Sequence, residues 1–118
     1  MDKKQANLGF HHSERLKSNL FLVSGALDRL TTLEAERLEG GKEVTKGIFD
    51  ALRNELNLAR RYFAAAEVDS IERELSEVGA GIELHDYAKA REHLAKTFSH
   101  VTTLGDRCIR VLIDEDLI

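Results

Sequence analysis

Apolar and small residues recur through the last third of the chain at steps of three and four, which places them on one face of a helix. The repeat of about 3.5 residues is typical of a helix that packs lengthwise against other helices. The pattern predicts a long final helix, N-capped by Asp86 and ending near Ile113. Its predicted buried seam comprises Tyr87, Ala90, Leu94, Phe98, Val101, Gly105, Cys108 and Leu112.

A first helix is predicted from Ser13 to about Glu39, because the Ser13 hydroxyl can accept a hydrogen bond from an otherwise unpaired backbone N–H. Glycine readily adopts the left-handed conformation found after a helix C-terminus. Gly40 and Gly41 are therefore predicted to end this helix. Its core-facing stripe is predicted to be Leu16, Leu20, Val23, Leu27 and Leu30, with Glu34 at the next position.

Two further apolar stripes predict a second helix, from Lys42 or Glu43 to Ala66, and a third, from Ser70 to about Leu84. The two stripes differ in direction by roughly 140°, so one straight helix cannot bury both. The second stripe is Val44, Ile48, Leu52, Leu56, Ala59, Phe63 and Ala66, with Glu55 at its edge. The third is Val68, Ile71, Leu75, Val78 and Ile82.

The change of direction predicts a break in helical hydrogen bonding within Glu67–Ser70. Asp69 followed by Glu72 resembles a capping box, which supports a helix start there. With this turn, the chain is predicted to be all-α: an antiparallel four-helix bundle, up-down-up-down, with short turns. The alternative is a single long helix that leaves the bundle and joins a partner.

The first helix carries apolar residues on more than one face. Phe21 and Leu22 point about 100° or more away from the core stripe on either side. A monomeric bundle should expose one polar face of each helix, so additional apolar side chains need another cover. Phe21 and Leu22 are therefore predicted to lie at an interface, in a homodimer or against an unidentified protein partner.

Length and charge narrow the function classes. The 118 residues fit one domain, predicted at 13–118 after a flexible N-terminal lead-in at 1–12. No apolar run approaches the roughly 20 residues that span a membrane, and the lead-in lacks the apolar core of a secretory signal. With 21 acidic and 17 basic residues the net charge is -4, which argues against nucleic acid as a partner. A single cysteine fits a reducing compartment, and we expect the protein to be cytoplasmic.

Paired acidic residues give the one enzymatic alternative. Glu36 and Glu39 are three residues apart, as are Glu74 and Glu77. This spacing resembles the paired acidic motifs of Mg²⁺-dependent, all-helical nucleotide pyrophosphatases, and carboxylate oxygens suit that ion. The four residues lie away from the apolar stripes, where a solvated charged face is the simpler interpretation. They are candidate metal ligands, and a hydrolase of this class remains the alternative function.

Other catalytic patterns are weaker. His93 and His100 are seven residues apart, or about 10 Å along a helix, too far for easy joint ligation of one ion. Cys108 falls on the predicted seam and is interpreted as a buried small residue. No catalytic residue and no cofactor is predicted. The sequence therefore favours a non-enzymatic helical interaction or regulatory module that acts as a homo-oligomer.

Overall fold

Four amphipathic segments form four helices. The computed structural model describes residues 1–114, which contain α1 (Lys3–Leu30), α2 (Ala35–Ala59), α3 (Ala65–Glu83) and α4 (Tyr87–Asp114). A short 3₁₀ turn, Arg60–Tyr62, follows α2. Helix α1 packs against α2 and α4, and α3 packs against α4, in a bundle of 55 × 24 × 20 Å. The predicted all-α, up-down-up-down bundle is confirmed.

Three of the four predicted stripes lie in the core as predicted. Every predicted position of the α1 stripe and of the α3 stripe is buried. On α4, Tyr87 and Phe98 are partly buried and pack against the core, while the other seam positions are buried. Burial of aliphatic side chains of this size contributes about 1.5–3 kcal/mol each, so these stripes dominate the stability of the fold. The buried seam positions are Ala90, Leu94, Val101, Gly105, Cys108 and Leu112.

The predicted stripe of α2 packs on the core from Ile48 to Ala59, but it is wrong at its first position, Val44, and at its last, Ala66, which is exposed and lies in α3. Val44 is 64% exposed, and Thr45 and Phe49 are buried instead. The Thr45 hydroxyl donates to the Gly41 carbonyl at 2.8 Å, which satisfies this polar group inside the bundle. The Phe49 ring packs over Gly79 of α3, where an added Cβ would lie 3.3 Å from Cε1 of the ring. The buried face of α2 therefore includes Phe49, because its ring fits the space that the missing side chain of Gly79 leaves on α3.

The start of α1 was predicted about three turns too late. Residues 3–12, expected to be a flexible lead-in, are helical, and a capping box at Asp2 and Gln5 begins the helix. The Gln5 backbone N–H donates to the Asp2 carboxylate at 2.8 Å, and the Asp2 N–H donates to the Gln5 side chain at 3.2 Å. Ser13, predicted as the N-cap, is buried within the helix, and its hydroxyl donates to the Phe10 carbonyl at 2.7 Å.

The end of α1 was also misplaced. The helix stops at Leu30, and the hydroxyls of Thr31 and Thr32 donate to backbone carbonyls three residues earlier, at 2.7 and 2.8 Å. Gly40 and Gly41, predicted to stop it, lie inside α2. A Cβ on Gly41 would lie 2.6 Å from Cδ1 of Leu33. Gly41 therefore makes room for the turn that joins α1 to α2, and does not end a helix.

The break between α2 and α3 exists but lies earlier than Glu67–Ser70. Regular α2 ends at Ala59, the 3₁₀ turn follows, and α3 begins at Ala65. Phe63 leaves the helical path, and its ring packs against Gly9 of α1, where an added Cβ would lie 3.4 Å from Cε1. Ser70, predicted to begin the helix, lies inside α3, and its hydroxyl donates to the Ala66 carbonyl. The turn is thus fixed by where Phe63 packs, and the apolar stripes alone do not reveal this.

The turn between α3 and α4 leads into α4 at the predicted position. The Lys89 backbone N–H donates to the Asp86 carboxylate at 3.1 Å, which confirms Asp86 as the N-cap of α4. Before it, His85 has φ 58, a left-handed conformation that usually favours glycine. Its N–H donates to the Ile82 carbonyl and the Asp86 N–H donates to the Gly81 carbonyl, as in a Schellman motif.

Small residues let α1 and α4 approach closely. A Cβ on Gly105 would lie 2.7 Å from the Ser13 hydroxyl oxygen, and one on Gly9 would lie 2.9 Å from Cys108 Sγ. Both distances are shorter than packed atoms tolerate, so a side chain at either glycine would displace Ser13 or Cys108. The α1–α4 crossing is therefore one of the closely constrained contacts of the bundle.

Gly105→Ala should destabilise the protein by about 1–3 kcal/mol, because the added methyl group overlaps Ser13 at the crossing. Gly47→Ala on α2 is the matched control, since nothing lies within 4 Å of the position of its Cβ. The control should stabilise the protein by about 0.5–1 kcal/mol through helix propensity. Chemical denaturation measures both; equal effects of the two changes would contradict the close crossing.

Leu94→Ala should destabilise the fold by about 2–5 kcal/mol, because Leu94 is buried in the core on the inner face of α4. Leu112→Ala, close to the end of α4, should cost less. Leu58→Ala is the control on an exposed leucine, with an expected change within about 0.5 kcal/mol. A denaturant series that ranks Leu112 or Leu58 above Leu94 would show that the centre of the core lies elsewhere.

Candidate functional site

The outer face of α1 exposes two large apolar side chains. Phe21 is 64% exposed and Leu22 is 58% exposed, while Leu20 and Val23 on either side of them are buried in the core. The helical repeat explains the difference, since Leu20 and Val23 lie on the stripe that faces the bundle. The structure thus places Phe21 and Leu22 together at the surface of a single chain.

A groove separates α1 from α4 beside Phe21. The ring of Phe21 lies against the ring of Phe98 on α4, with 5.2 Å between centroids and a tilt of 59°, a favourable aromatic geometry. The groove has a volume of about 480 Å³, and apolar atoms dominate its surface. We call it the α1–α4 groove; it is lined by Leu20, Phe21, Ser24, Arg91, Leu94, Ala95, Phe98 and Ser99.

Charged residues flank the apolar face on both sides along α1. Toward the C-terminal end, Asp28 accepts from Arg91 of α4 at 2.7 Å. Toward the N-terminal end, Glu14 pairs with Lys17 at 2.5 Å. Both pairs lie at the protein surface, so each contributes little to the stability of the fold. Between them, an added Cβ on Gly25 would meet no atom within 4 Å, which leaves the surface there low and open.

The two acidic pairs predicted as metal candidates lie in different environments. Glu74 lies 2.5 Å from Nδ1 of His93, and Glu77 lies 2.9 Å from Nζ of Lys89, so both carboxylates contact α4. The hydrogen bond and charge of Lys89 hold the pKa of Glu77 below its usual value. Among residues 1–114, no group of three or more histidine, cysteine or acidic side chains is placed to hold a metal ion.

Glu36 and Glu39 are exposed near the start of α2. The hydrogen bond that Lys46 donates to Glu83 raises the pKa of Lys46, and the negative charge of Glu39 adds to this shift. The carboxylates of Glu74 and Glu77 instead contact α4. The structure therefore does not combine the two acidic pairs into one site.

A buried carboxylate, Glu55, forms a cluster that sequence reasoning missed. Its side chain is only 6% exposed, and its two oxygens lie 3.0 Å from Nδ1 of His12 and 3.2 Å from Nη2 of Arg15. The His12 ring also stacks on Tyr62, with centroids 4.9 Å apart. A signal was available, because Glu55 falls at the edge of an apolar stripe where a buried charge requires partners. Because residues 1–12 were predicted to be a flexible lead-in, His12 was not recognised as a partner of Glu55.

The remaining reactive groups are buried or dispersed. Cys108 is buried, and desolvation raises the pKa of its thiol, which disfavours the reactive thiolate. His93 is partly buried against Glu74, while His100 is exposed on α4. Cys108 therefore behaves as a packing residue of the α1–α4 crossing.

Comparison with protein-family models, with curated proteins and with solved structures found no match for this chain. Within residues 1–114, no helix is both long enough and apolar enough to cross a lipid bilayer.

A double-mutant cycle on His12 and Glu55, each changed to Ala, should give a coupling free energy of about 1–3 kcal/mol, because a buried carboxylate depends on its partners. The matched cycle on the exposed pair Glu92 and Lys96, whose charged atoms are 3.5 Å apart, should give less than about 0.5 kcal/mol. Denaturation of the six variants and the wild type measures both values. Equal coupling in the two cycles would show that the Glu55 cluster contributes no more than a surface pair.

Proposed function

We propose that this protein is a non-enzymatic helical interaction module that acts as a homo-oligomer through the outer face of α1. The observation that carries the proposal is the exposure of Phe21 and Leu22, at 64% and 58%, on adjacent positions of one helix. Exposed apolar residues that lie together mark interaction surfaces more often than isolated ones do. Aromatic side chains are also enriched in the buried centres of interfaces.

A second copy of the chain is a suitable occupant of this face. A two-fold dimer brings the same patch of both subunits together, so one apolar patch is sufficient to form it. Covering Phe21 and the adjoining apolar wall of the α1–α4 groove removes apolar surface from water, at about 25 cal/mol per Å². We place the dimer in the cytoplasm, where a single buried thiol such as Cys108 remains reduced.

Phe21→Glu should weaken self-association at least tenfold, because dimerisation would then desolvate a charge. Val44→Glu is the matched control: Val44 is also 64% exposed, but it lies on α2. The control should leave association unchanged, and both variants should retain the helical circular dichroism of the wild type. Sedimentation velocity over a concentration series measures the association equilibrium.

Two results would contradict the proposal. A wild-type chain that is monomeric at high micromolar concentration would exclude the homodimer. Loss of helicity in Phe21→Glu would show that Phe21 stabilises the monomer.

A thermal melt with Mg²⁺ and nucleotides tests the alternative function, a Mg²⁺-dependent nucleotide hydrolase, since a ligand that binds the folded state raises Tm. A rise that requires both metal and nucleotide would favour the hydrolase.

A further inference from the structure

We infer that the second copy docks antiparallel on α1, about a two-fold axis that passes between Phe21 and Leu22. This inference rests on the proposed function and specifies its geometry. It follows from the order of exposed residues along α1. When two copies of α1 lie antiparallel, the charges and side-chain sizes of one copy match those of the other. The residues that carry it are Glu14, Arg15, Ser18, Phe21, Leu22, Gly25, Asp28 and Arg29, all exposed.

These residues share one face of α1. At about 100° per residue, all eight lie within roughly 70° of the direction midway between Phe21 and Leu22. The buried stripe lies on the opposite side of the helix, since Leu16 and Leu27 point about 170° away from that direction. The face therefore points out of the bundle along about four turns of the helix.

Reversal of the helix about this midpoint pairs unlike residues. Ser18 and Gly25 are equidistant from the midpoint, as are Glu14 and Arg29. In an antiparallel dimer, Glu14 lies level with Arg29 of the partner subunit, about 11 Å along the helix from the axis. Glu14 and Arg29 each point only about 30° away from the direction midway between Phe21 and Leu22, so their charged groups can meet across the interface. Two such pairs form, one at each end.

A parallel arrangement gives the opposite result. It brings Glu14 level with Glu14 of the partner subunit and Arg29 level with the partner's Arg29, so that like charges face each other. Charge complementarity of this kind fixes the orientation of an interface more strongly than it raises affinity. Glu14 and Arg29, at the two ends of this face, therefore favour the antiparallel dimer over the parallel one.

The centre of the face permits a close approach. Gly25 has no side chain and no neighbour within 4 Å of the position of its Cβ, and Ser18 is small. In the antiparallel dimer, Gly25 of one copy lies level with the partner's Ser18 on either side of the axis. Small residues at these levels let the helix backbones approach while Phe21 and Leu22 fill the middle.

The two-fold axis also groups the aromatic rings. Phe21 leans toward α4, where it already contacts Phe98 at 5.2 Å between centroids. The rotation keeps both copies of Phe21 at the same height along the two-fold axis, so the two Phe21–Phe98 pairs come together. Offset and tilted contacts among such rings add to the free energy of burial.

Charge reversal tests the orientation directly. Glu14→Arg alone and Arg29→Glu alone should each weaken dimerisation about tenfold, because each places two like-charged pairs in the interface. The double variant Glu14→Arg/Arg29→Glu should restore the wild-type Kd to within about threefold. An equimolar mixture of the two single variants should form heterodimers in preference to either homodimer, which shows that both positions lie in the interface, while the loss in each single variant shows the orientation. Sedimentation at low salt measures the Kd values, and native mass spectrometry counts the heterodimers.

The control is Glu43→Arg, the same charge change at an exposed position of α2, which should leave the Kd unchanged. Single variants that dimerise like the wild type would overturn the antiparallel geometry, because a parallel dimer gains no new repulsion from either change. The proposed function would then still stand if Phe21→Glu abolishes the dimer. A monomeric wild type would overturn both.

Discussion

The bundle depends on the close crossing of α1 and α4. Gly9 and Ser13 on one helix meet Cys108 and Gly105 on the other, with no room for a larger side chain at either glycine. Such contacts are short-ranged, since dispersion falls off steeply within an ångström. The crossing fixes the rotation of α1 about its own axis, and with it the side chains that face the core.

The same rotation determines what α1 exposes. With Leu16, Leu20, Val23 and Leu27 turned inward, Phe21 and Leu22 are necessarily turned outward. The Glu55 cluster stabilises this orientation from the α2 side, because His12 and Arg15 of α1 both contact the buried carboxylate. The Asp28–Arg91 ion pair adds a contact on the α4 side. The apolar outer face is thus a consequence of how the core is packed.

Helical periodicity predicted the bundle and most of its core, because the stripes of α1, α3 and α4 report directly which side chains are buried. It failed at positions where contacts between distant residues determine which side chains are buried and where a helix begins or ends. Gly41 accommodates Leu33 and Gly79 accommodates Phe49, and neither partner is adjacent in sequence. Ser13 resembled a cap and is a buried crossing residue. Of the candidate site, the exposure of Phe21 and Leu22 was predictable from periodicity, whereas the Glu55 cluster needed the correct start of α1.

The crossing also joins the two ends of the chain, since Gly9 and Cys108 lie near opposite termini. The pairs α1–α2 and α3–α4 are each connected by a short turn, so they can form as hairpins without closing a long loop. The α1–α4 crossing, which also needs a close fit, instead joins the two helices most distant in sequence. Folding rates fall as contacts become less local, so we expect docking of two preformed hairpins to limit the folding of this bundle. The glycines of the crossing would then control how fast the native state is reached as well as how stable it is.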